Sequence, residues 1–296
     1  MSQIVSQSTS SVHKFGMERR KSVKQVLIFL ALGAASVVFL MPVWALVLAA
    51  MRPGEQLMRF GITFRTLIPR DLTFQYILEL STARNGIYYS WFRNSIAVVA
   101  LRTSMTLALT SFVGYGLAVY DFKGRRVLLA LVVLLLVVPI QILILPLFRI
   151  MITLGLMNTL LGVVLPFAVL PFAVFFFHQY AHGLPSDLID AGRIDGINEF
   201  GIFFRIMLPL LTPAIGAMAI LVSLMGWNDF LWPLVVLRTE SMFTIPIGLS
   251  ALLTPYEDNY DMLLSGALVA TVPIMVVFFL FQRYFVSGLS AGSVKG

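Results

Sequence analysis

The sequence contains no cysteine among its 296 residues. Without thiols, the chain has no disulfide framework, no thiolate metal site and no cysteine nucleophile. Charged residues are scarce too: they make up 12% of the chain, whereas a soluble domain carries about a quarter. Apolar residues reach 59%, and the mean hydropathy is +0.92. Most of the surface must therefore face lipid or other apolar helices, which predicts an all-α integral membrane protein.

Sequence signals for catalysis and for metal binding are missing as well. A phosphate-binding P-loop needs glycine before its Lys-Ser or Lys-Thr pair, but Lys21, the one Lys followed by Ser or Thr, is preceded by Arg20. There is no nucleophile elbow and no catalytic pair of carboxylates, so we predict no catalytic residue. His178 and His182 are spaced i, i+4, but they lack a third ligand and an HExxH pattern. We interpret them as a polar pair at a membrane exit and predict no metal site.

The net charge of +7 does not indicate nucleic-acid binding, because the basic residues form no single patch. They flank apolar stretches, as positive charges do on the cytoplasmic side of a membrane protein. Two groups stand out, one before the first apolar stretch and one between the second and third: Lys14, Arg19, Arg20, Lys21 and Lys24, and then Lys123, Arg125 and Arg126.

Long apolar stretches dominate the rest of the chain, and each reaches the ~20 residues needed to cross a bilayer. They predict six transmembrane helices near 26–51, 92–119, 127–150, 158–181, 210–235 and 263–285. The first stretch is too long and too far from the start to be a cleaved signal peptide. We therefore expect a multi-pass protein of the inner or plasma membrane, with both termini in the cytoplasm.

This topology divides the chain into a cytoplasmic N-terminal segment (1–25), a membrane domain (26–286) and a cytoplasmic C-terminal tail (287–296). Within the membrane domain, we place the polar loop 182–209 inside the cell and the loop 237–262 outside. The loop 52–91 is assigned to the outside despite its five arginines, because long segments translocate with less regard to charge.

The interior loop 182–209 has the pattern of two short helices joined by a turn. Pro185 and Ser186 are helix-start signals, with Ser186 or Asp187 as the N-cap. Gly196 should end the first helix with positive φ, and a second helix should run toward Pro209. We expect the two helices to form a compact knob whose apolar residues Leu188, Ile189 and Ile194 enter a groove of a partner protein.

The spacing of this loop resembles the EAA motif of ABC importer permeases, E-A-A-x3-G-x9-I-x-L-P. Here Asp190 replaces the usual Glu and Gly192 replaces the second Ala. The resemblance implies the type I ABC importer permease fold, in which this loop carries the coupling helix that docks into the ATPase subunit. The residues to which we assign this coupling role are Asp187, Leu188, Asp190, Ala191, Gly192, Asp195, Gly196, Ile206, Leu208 and Pro209.

Other segments are similar to the carbohydrate-importer, or maltose-permease-like, subfamily, and within it to the second permease subunit of arabino-oligosaccharide importers. They are WFRNS (91–95), the run 114–125, GLMNT (155–159), the run 199–206, WNDFLWP (227–233) and the tail 289–296. The resemblance implies a sugar or oligosaccharide substrate and alternating access. It also implies a second permease subunit, two ATP-binding subunits and an extracytoplasmic sugar-binding protein. ATP and Mg would then be bound by the partner ATPases, and this chain would bind no cofactor.

Two other functions stay open at this point. An ABC importer for a non-sugar solute, such as phosphate, glycerol phosphate or a polyamine, would share the EAA spacing. An ion-coupled secondary transporter fits less well, since such a protein has no ATPase to dock.

The candidate substrate path lies in the segment WNDFLWP. Trp227 and Trp232 offer aromatic faces for a sugar ring, and Asn228 and Asp229 offer hydroxyl partners. The alternative is an interfacial tryptophan belt with structural hydrogen bonds. Arg102 is a similar intramembrane case, for which we favour a salt bridge to a neighbouring helix.

Overall fold

The computed structural model describes residues 2–54, 68, 72–253 and 259–291, and these divide into two compact units, 1–73 and 74–296. Apart from short 3-10 and π segments, the regular elements within these described residues are α-helices. In chain order they are α1 (Ser2–Ala50), α2 (Gln75–Glu79), α3 (Ile87–Val119), α4 (Arg125–Leu135), α5 (Ile140–Thr153), α6 (Leu160–Val164), α7 (Pro171–His182), α8 (Asp187–Ile194), α9 (Glu199–Ile202), α10 (Leu208–Leu210), α11 (Thr212–Trp227), α12 (Leu231–Val236), α13 (Ile245–Ser250) and α14 (Tyr260–Ala291).

The first unit is built on α1, whose part 24–50 is long and apolar enough to cross a membrane. Its large side chains, such as Phe29 and Phe39, are exposed within the chain, as expected for a surface that contacts lipid. The predicted span 26–51 is confirmed, and the segment 1–25 continues the same helix from Ser2. Residues 55–67 and 69–71 of the predicted exterior loop lie outside the described residues.

The second unit supplies the other spans, two continuous and three broken. The continuous ones are 83–119 and 260–282, and the broken ones are the pairs 125–135 with 140–153, 160–167 with 171–182, and 199–210 with 212–227. When each bent pair is counted as one span, the described residues give the six predicted spans. The last helix continues to Ala291, into the predicted tail 287–296, of which 292–296 lie outside the described residues.

Proline lies at or beside all three breaks, and at the break before α11 it is Pro213, in the first turn of that helix. Pro139 adopts an extended conformation between α4 and α5, whose axes differ by 106°. In the fourth span a 3-10 turn (Leu165–Phe167) precedes Pro171, which opens α7, and the bend is 45°. Proline cannot donate to the preceding turn, so a span can break there at little further cost. Pro146, by contrast, lies inside α5 without ending it.

The prediction of one fifth helix over 210–235 was wrong. Helix α11 ends at Trp227, and Leu231 begins the separate helix α12. At the break, the Asn228 side chain donates a hydrogen bond to the main-chain oxygen of Leu224 (2.9 Å) and so offers the backbone a local alternative to another helical turn. The fifth helical path instead starts earlier, at Glu199, and bends by 74° before Thr212.

Helix α3 is central to the second unit, where it packs against α7 and α11, while α11 also packs against α14. Gly114 makes the α3–α7 contact close, since an added Cβ would lie 2.6 Å from the Cβ of Phe177. Around this contact lies a buried cluster of Ala173, Phe177, Ala214, Met218 and Val222.

Candidate functional site

Helix α8 of the interior loop ends in a tight main-chain motif. Gly196 has φ +74°, which confirms the predicted positive φ. Its N–H donates to the oxygen of Arg193 (3.1 Å), and the N–H of Ile197 donates to the oxygen of Gly192 (2.9 Å). These two bonds form a Schellman motif, which fixes the direction in which the chain leaves the helix.

The second helical segment follows at once. Asn198 caps α9 by accepting a hydrogen bond from the N–H of Gly201 (2.7 Å). A five-residue π-helical segment, Phe203–Met207, then leads into α10. The predicted helix toward Pro209 is confirmed, with a wide turn inside it that the sequence pattern did not indicate.

An apolar cluster anchors this pair of helices to the ends of two membrane spans. Its buried members are Tyr115 and Ala118 of α3, Ala181 of α7, and Ile189, Ile202, Phe203, Met207 and Leu211 of the loop and the segment after it. Ile189 is only 6% exposed, so the expectation that it enters a partner's groove was wrong. Ile194 is 86% exposed and Leu188 is 39% exposed, so these two side chains remain available to a partner.

Gly192 permits the close packing of α8 on the second segment. A Cβ added there would lie 2.8 Å from the Cδ1 of Ile206 and 3.2 Å from the Cγ1 of Ile202. The EAA motif has Ala at this position, and the glycine found here leaves room for the close approach of the two isoleucines.

An ionic network joins α8 to the end of α3. The carboxylate of Glu199 accepts hydrogen bonds from the Arg193 guanidinium (2.8 Å) and the Tyr120 hydroxyl (2.6 Å), and Arg193 also contacts Asp190 (3.2 Å). Tyr120 and Glu199 were not among the predicted site residues.

We expect Glu199→Gln to loosen α8 without disturbing the membrane spans. The variant removes a charged acceptor from two donors, but the site is solvent-exposed, so the loss is about 1 kcal/mol, equivalent to roughly fivefold faster hydrogen exchange in α8. Hydrogen-exchange mass spectrometry of the purified protein measures this. Asp187→Asn is the control, because Asp187 lies in the same helix and makes no ion pair in the described chain. Equal exchange rates in both variants would contradict the network.

A second cluster of polar groups lies inside the membrane domain. The Arg102 guanidinium donates to the Asp229 carboxylate at 2.9 Å, and the two side chains are 3% and 17% exposed. The guanidinium also lies 4.3 Å from the ring centre of Phe167. Arg102 was expected to form a salt bridge to a neighbouring helix. The salt bridge is confirmed, but its partner Asp229 lies in the break between α11 and α12 and is one of the substrate-path candidates.

The other substrate-path candidates lie around this ion pair. Trp227 is 6% exposed and packs edge-on against Phe92. Trp232 is 3% exposed, packs edge-on against Phe167 and donates from Nε1 to the oxygen of Gly162 (3.1 Å). Asn228 is exposed. Both tryptophans are thus buried in aromatic packing, and among the four candidates Asn228 is the exposed one.

The loop 237–262 is held to α3 by main-chain contacts. Trp91 Nε1 donates to the oxygen of Glu240 (2.9 Å), Asn94 donates to the oxygens of Ser241 and Phe243, and the Ser95 hydroxyl accepts from the N–H of Ile245. The segment also contains helix α13. Residues 254–258, the polar part of the predicted loop, lie outside the described residues.

Asn158 holds the same loop from the link between the third and fourth spans. Its Oδ1 accepts from the N–H groups of Arg238 (2.9 Å) and Thr239 (3.2 Å), and its own φ is +57°. Asn tolerates this left-handed conformation better than most residues. The motifs WFRNS and GLMNT, which carried part of the resemblance, thus serve here to position the loop 237–262.

The part of the chain that carries these features matches a known protein family. The model described as the binding-protein-dependent transport system inner membrane component matches residues 107–291, which include the interior loop with its EAA spacing. The chain belongs to this family. It is a membrane permease subunit of an ABC importer, which works with a binding protein.

Individual relatives match almost the whole permease. It is 49% identical over 275 residues to the Arabinooligosaccharides transport system permease protein AraQ of Bacillus subtilis, covering 93% of this chain and 97% of that one. It is 51% identical over 280 residues to the protein of the same name in Halalkalibacterium halodurans, covering 94% and 100%. The Lactose transport system permease protein LacG of Rhizobium radiobacter is 32% identical, covering 93% and 98%.

The fold also has a solved counterpart. A chain in the crystal structure of a bacterial ABC transporter involved in the import of the acidic polysaccharide alginate superposes with a TM-score of 0.74. The match covers 90% of the permease and 98% of that chain at 21% identity. The permease therefore has the all-α ABC importer permease fold expected from its sequence.

Proposed function

We propose that this permease carries an oligosaccharide across the cell membrane by alternating access driven by separate ATPase subunits. The observation that carries the proposal is the geometry of α8. It is a short helix whose end is fixed at Gly196. It packs on the apolar cluster at the ends of α3 and α7, and its side chains Ile194 and Leu188 are exposed. A rigid, partly apolar projection of this kind suits docking into a groove of another protein.

The proposed complex contains a second homologous permease subunit, two ATP-binding subunits and an extracytoplasmic sugar-binding protein. Both termini and the loop 182–209 would face the cytoplasm, and the loop 237–262 would face the binding protein. This chain would bind no cofactor, since ATP and Mg would belong to the ATPase subunits. The proposed segments remain 1–25, 26–286 and 287–296.

An oligosaccharide substrate is supported by relatives of about 50% identity that are named for the transport of arabinooligosaccharides. Asn228 is exposed next to Asp229, and its side-chain amide can exchange hydrogen bonds with a sugar hydroxyl. The prolines at the breaks of the third and fourth spans allow the helices to change direction between inward and outward states.

Uptake by the reconstituted complex tests this proposal. Proteoliposomes that contain the complex, its binding protein and internal ATP should accumulate labelled arabino-oligosaccharide, and an ion gradient alone should not drive uptake. Unlabelled glycerol phosphate or a polyamine should not compete. Uptake of labelled glycerol phosphate or of a labelled polyamine by the same proteoliposomes, with no sugar uptake, would assign the permease to another substrate class.

The isolated permease should neither bind nor hydrolyse ATP, because the sequence lacks a phosphate-binding P-loop. The measurement is equilibrium binding of a fluorescent ATP analogue and phosphate release by the purified chain, with the whole complex as the positive control. Hydrolysis that persists in the chain after removal of all partner subunits would overturn the assignment of ATP chemistry to other chains.

A further inference from the structure

A cavity of about 770 Å³ lies between the start of α4 and α7, at the link that follows α3. Its walls are the linker 121–127, Leu129 and His178. The cavity is remote from the Arg102–Asp229 pair along α3 and is separate from the outward face of α8. Its volume falls within the usual range for sites that hold a small molecule or a headgroup.

His178 lines this cavity and, among the residues that the structure describes, has unpaired hydrogen-bonding groups that a ligand could pair with. The residue is 6% exposed, and neither ring nitrogen has a hydrogen-bond partner within the described chain. Burial of a polar group without a partner is costly, and native proteins rarely leave one so. The ring is stacked parallel to that of His182, with centres 6.1 Å apart, so its plane is fixed where it lines the cavity.

The charges on the linker determine the sign of the ligand. Arg125 is committed to Asp121 (2.5 Å) and to the main-chain oxygen of Ala118 (3.0 Å). Lys123 and Arg126 are exposed and form no ion pair in the part of the chain that the structure describes. Three cations thus face one carboxylate, and the N-terminus of the eleven-residue helix α4 adds partial positive charge at the same place.

The surroundings indicate where such an anion would come from. Phe122, Val127 and Leu128 are 45%, 63% and 46% exposed next to the basic residues, and the linker joins two membrane spans. A basic cavity beside exposed apolar side chains at the membrane surface matches a phospholipid, with its phosphate in the cavity and its acyl chains along the helices.

We propose that this cavity binds the phosphate of an anionic phospholipid headgroup. Lys123 and Arg126 pair with its phosphate oxygens, and a ring nitrogen of His178 donates a hydrogen bond to the headgroup. Only the choice of leaflet, the cytoplasmic one, rests on the orientation proposed above. An anionic lipid bound here would hold the linker after α3 in place. The linker lies next to the apolar cluster on which α8 packs.

Native mass spectrometry of the intact complex, titrated with phosphatidylglycerol or with phosphatidylcholine, tests the site. Lys123→Gln with Arg126→Gln should weaken phosphatidylglycerol binding about 30-fold, at ~1 kcal/mol for each basic residue. Arg93→Gln with Arg149→Gln removes the same charge at the opposite ends of these spans and should leave the affinity unchanged. His178→Phe keeps the ring volume, removes both nitrogens and should also weaken binding.

Three outcomes would overturn the proposal. Equal affinity for the two lipids, or for the cavity variants and the control, would mean that no headgroup site exists here. Inorganic phosphate that binds through these residues, while the lipid does not, would assign the cavity to a free phosphate ligand. Loss of the ATPase subunits from the Lys123 and Arg126 variant, with unchanged lipid binding, would assign the residues to a protein contact. Sugar uptake enters none of these measurements, so the transport proposal can fail independently.

Discussion

Replacing Gly196 by Val should reduce sugar uptake by about tenfold or more while the protein is still inserted into the membrane. A β-branched residue at φ +74° costs about 1–2 kcal/mol, and a chain that relieves this strain moves the end of α8. An added Cβ has no atom within 4 Å, so the variant creates no packing clash that would prevent folding. The measurements are uptake, ATPase stimulation by the binding protein, and membrane expression.

Two controls separate the role of the loop from backbone strain in general. Gly196→Asn should retain most activity, because Asn adopts the left-handed conformation more readily. Gly155→Val introduces the same strain at φ +67°, also in open space, in the link between the third and fourth spans. If Gly155→Val leaves ATPase hydrolysis unlinked to uptake as Gly196→Val does, the interior loop has no special part in coupling.

Asp229→Ala should lower the free energy of unfolding by about 3–5 kcal/mol, because it leaves the Arg102 guanidinium buried without its counter-ion. The thermal denaturation midpoint and the folded yield in detergent measure this loss. The surface pair Arg84–Glu240, whose side chains are 49% and 44% exposed, provides the control, and Glu240→Ala should cost less than 1 kcal/mol.

A double variant then separates a structural role of Asp229 from a role in the substrate path. Arg102→Met with Asp229→Ala removes both charges, so folded yield should recover toward wild type. Full recovery of uptake along with folding would mean that Asp229 only neutralises Arg102. Recovery of folding without uptake would support the sugar-path hypothesis.

The features predicted from the sequence are those that depend on local chemistry. The length of the apolar stretches predicted the number of spans, and Gly196 predicted a positive φ at the end of α8. The first follows from hydrophobicity and the second from the backbone preference of one residue, and tertiary packing overrode neither.

The features that the sequence did not reveal depend on contacts between distant segments. The Arg102–Asp229 bond joins residues 127 positions apart, and the Tyr120–Glu199 bond joins residues 79 apart. The burial of Ile189 likewise depends on which side of α8 packs against the apolar cluster at the end of α3. Apolar periodicity is too weak in an eight-residue helix to choose between its two apolar sides. The fifth span was misjudged for a local reason: apolar composition continues past Trp227, but the Asn228 side chain bonds back to the Leu224 oxygen and the helix ends.

The π-helical segment Phe203–Met207 makes this region tolerant of one change in chain length. A π turn accommodates one residue more than the α-helical register allows. Because the wide turn absorbs that residue locally, deleting one residue there should close the segment into an α-helix while α8 and α11 keep nearly their present directions. Helix α8 is a regular α-helix, so the same deletion inside it would turn the residues before the deletion by about 100° relative to Gly196.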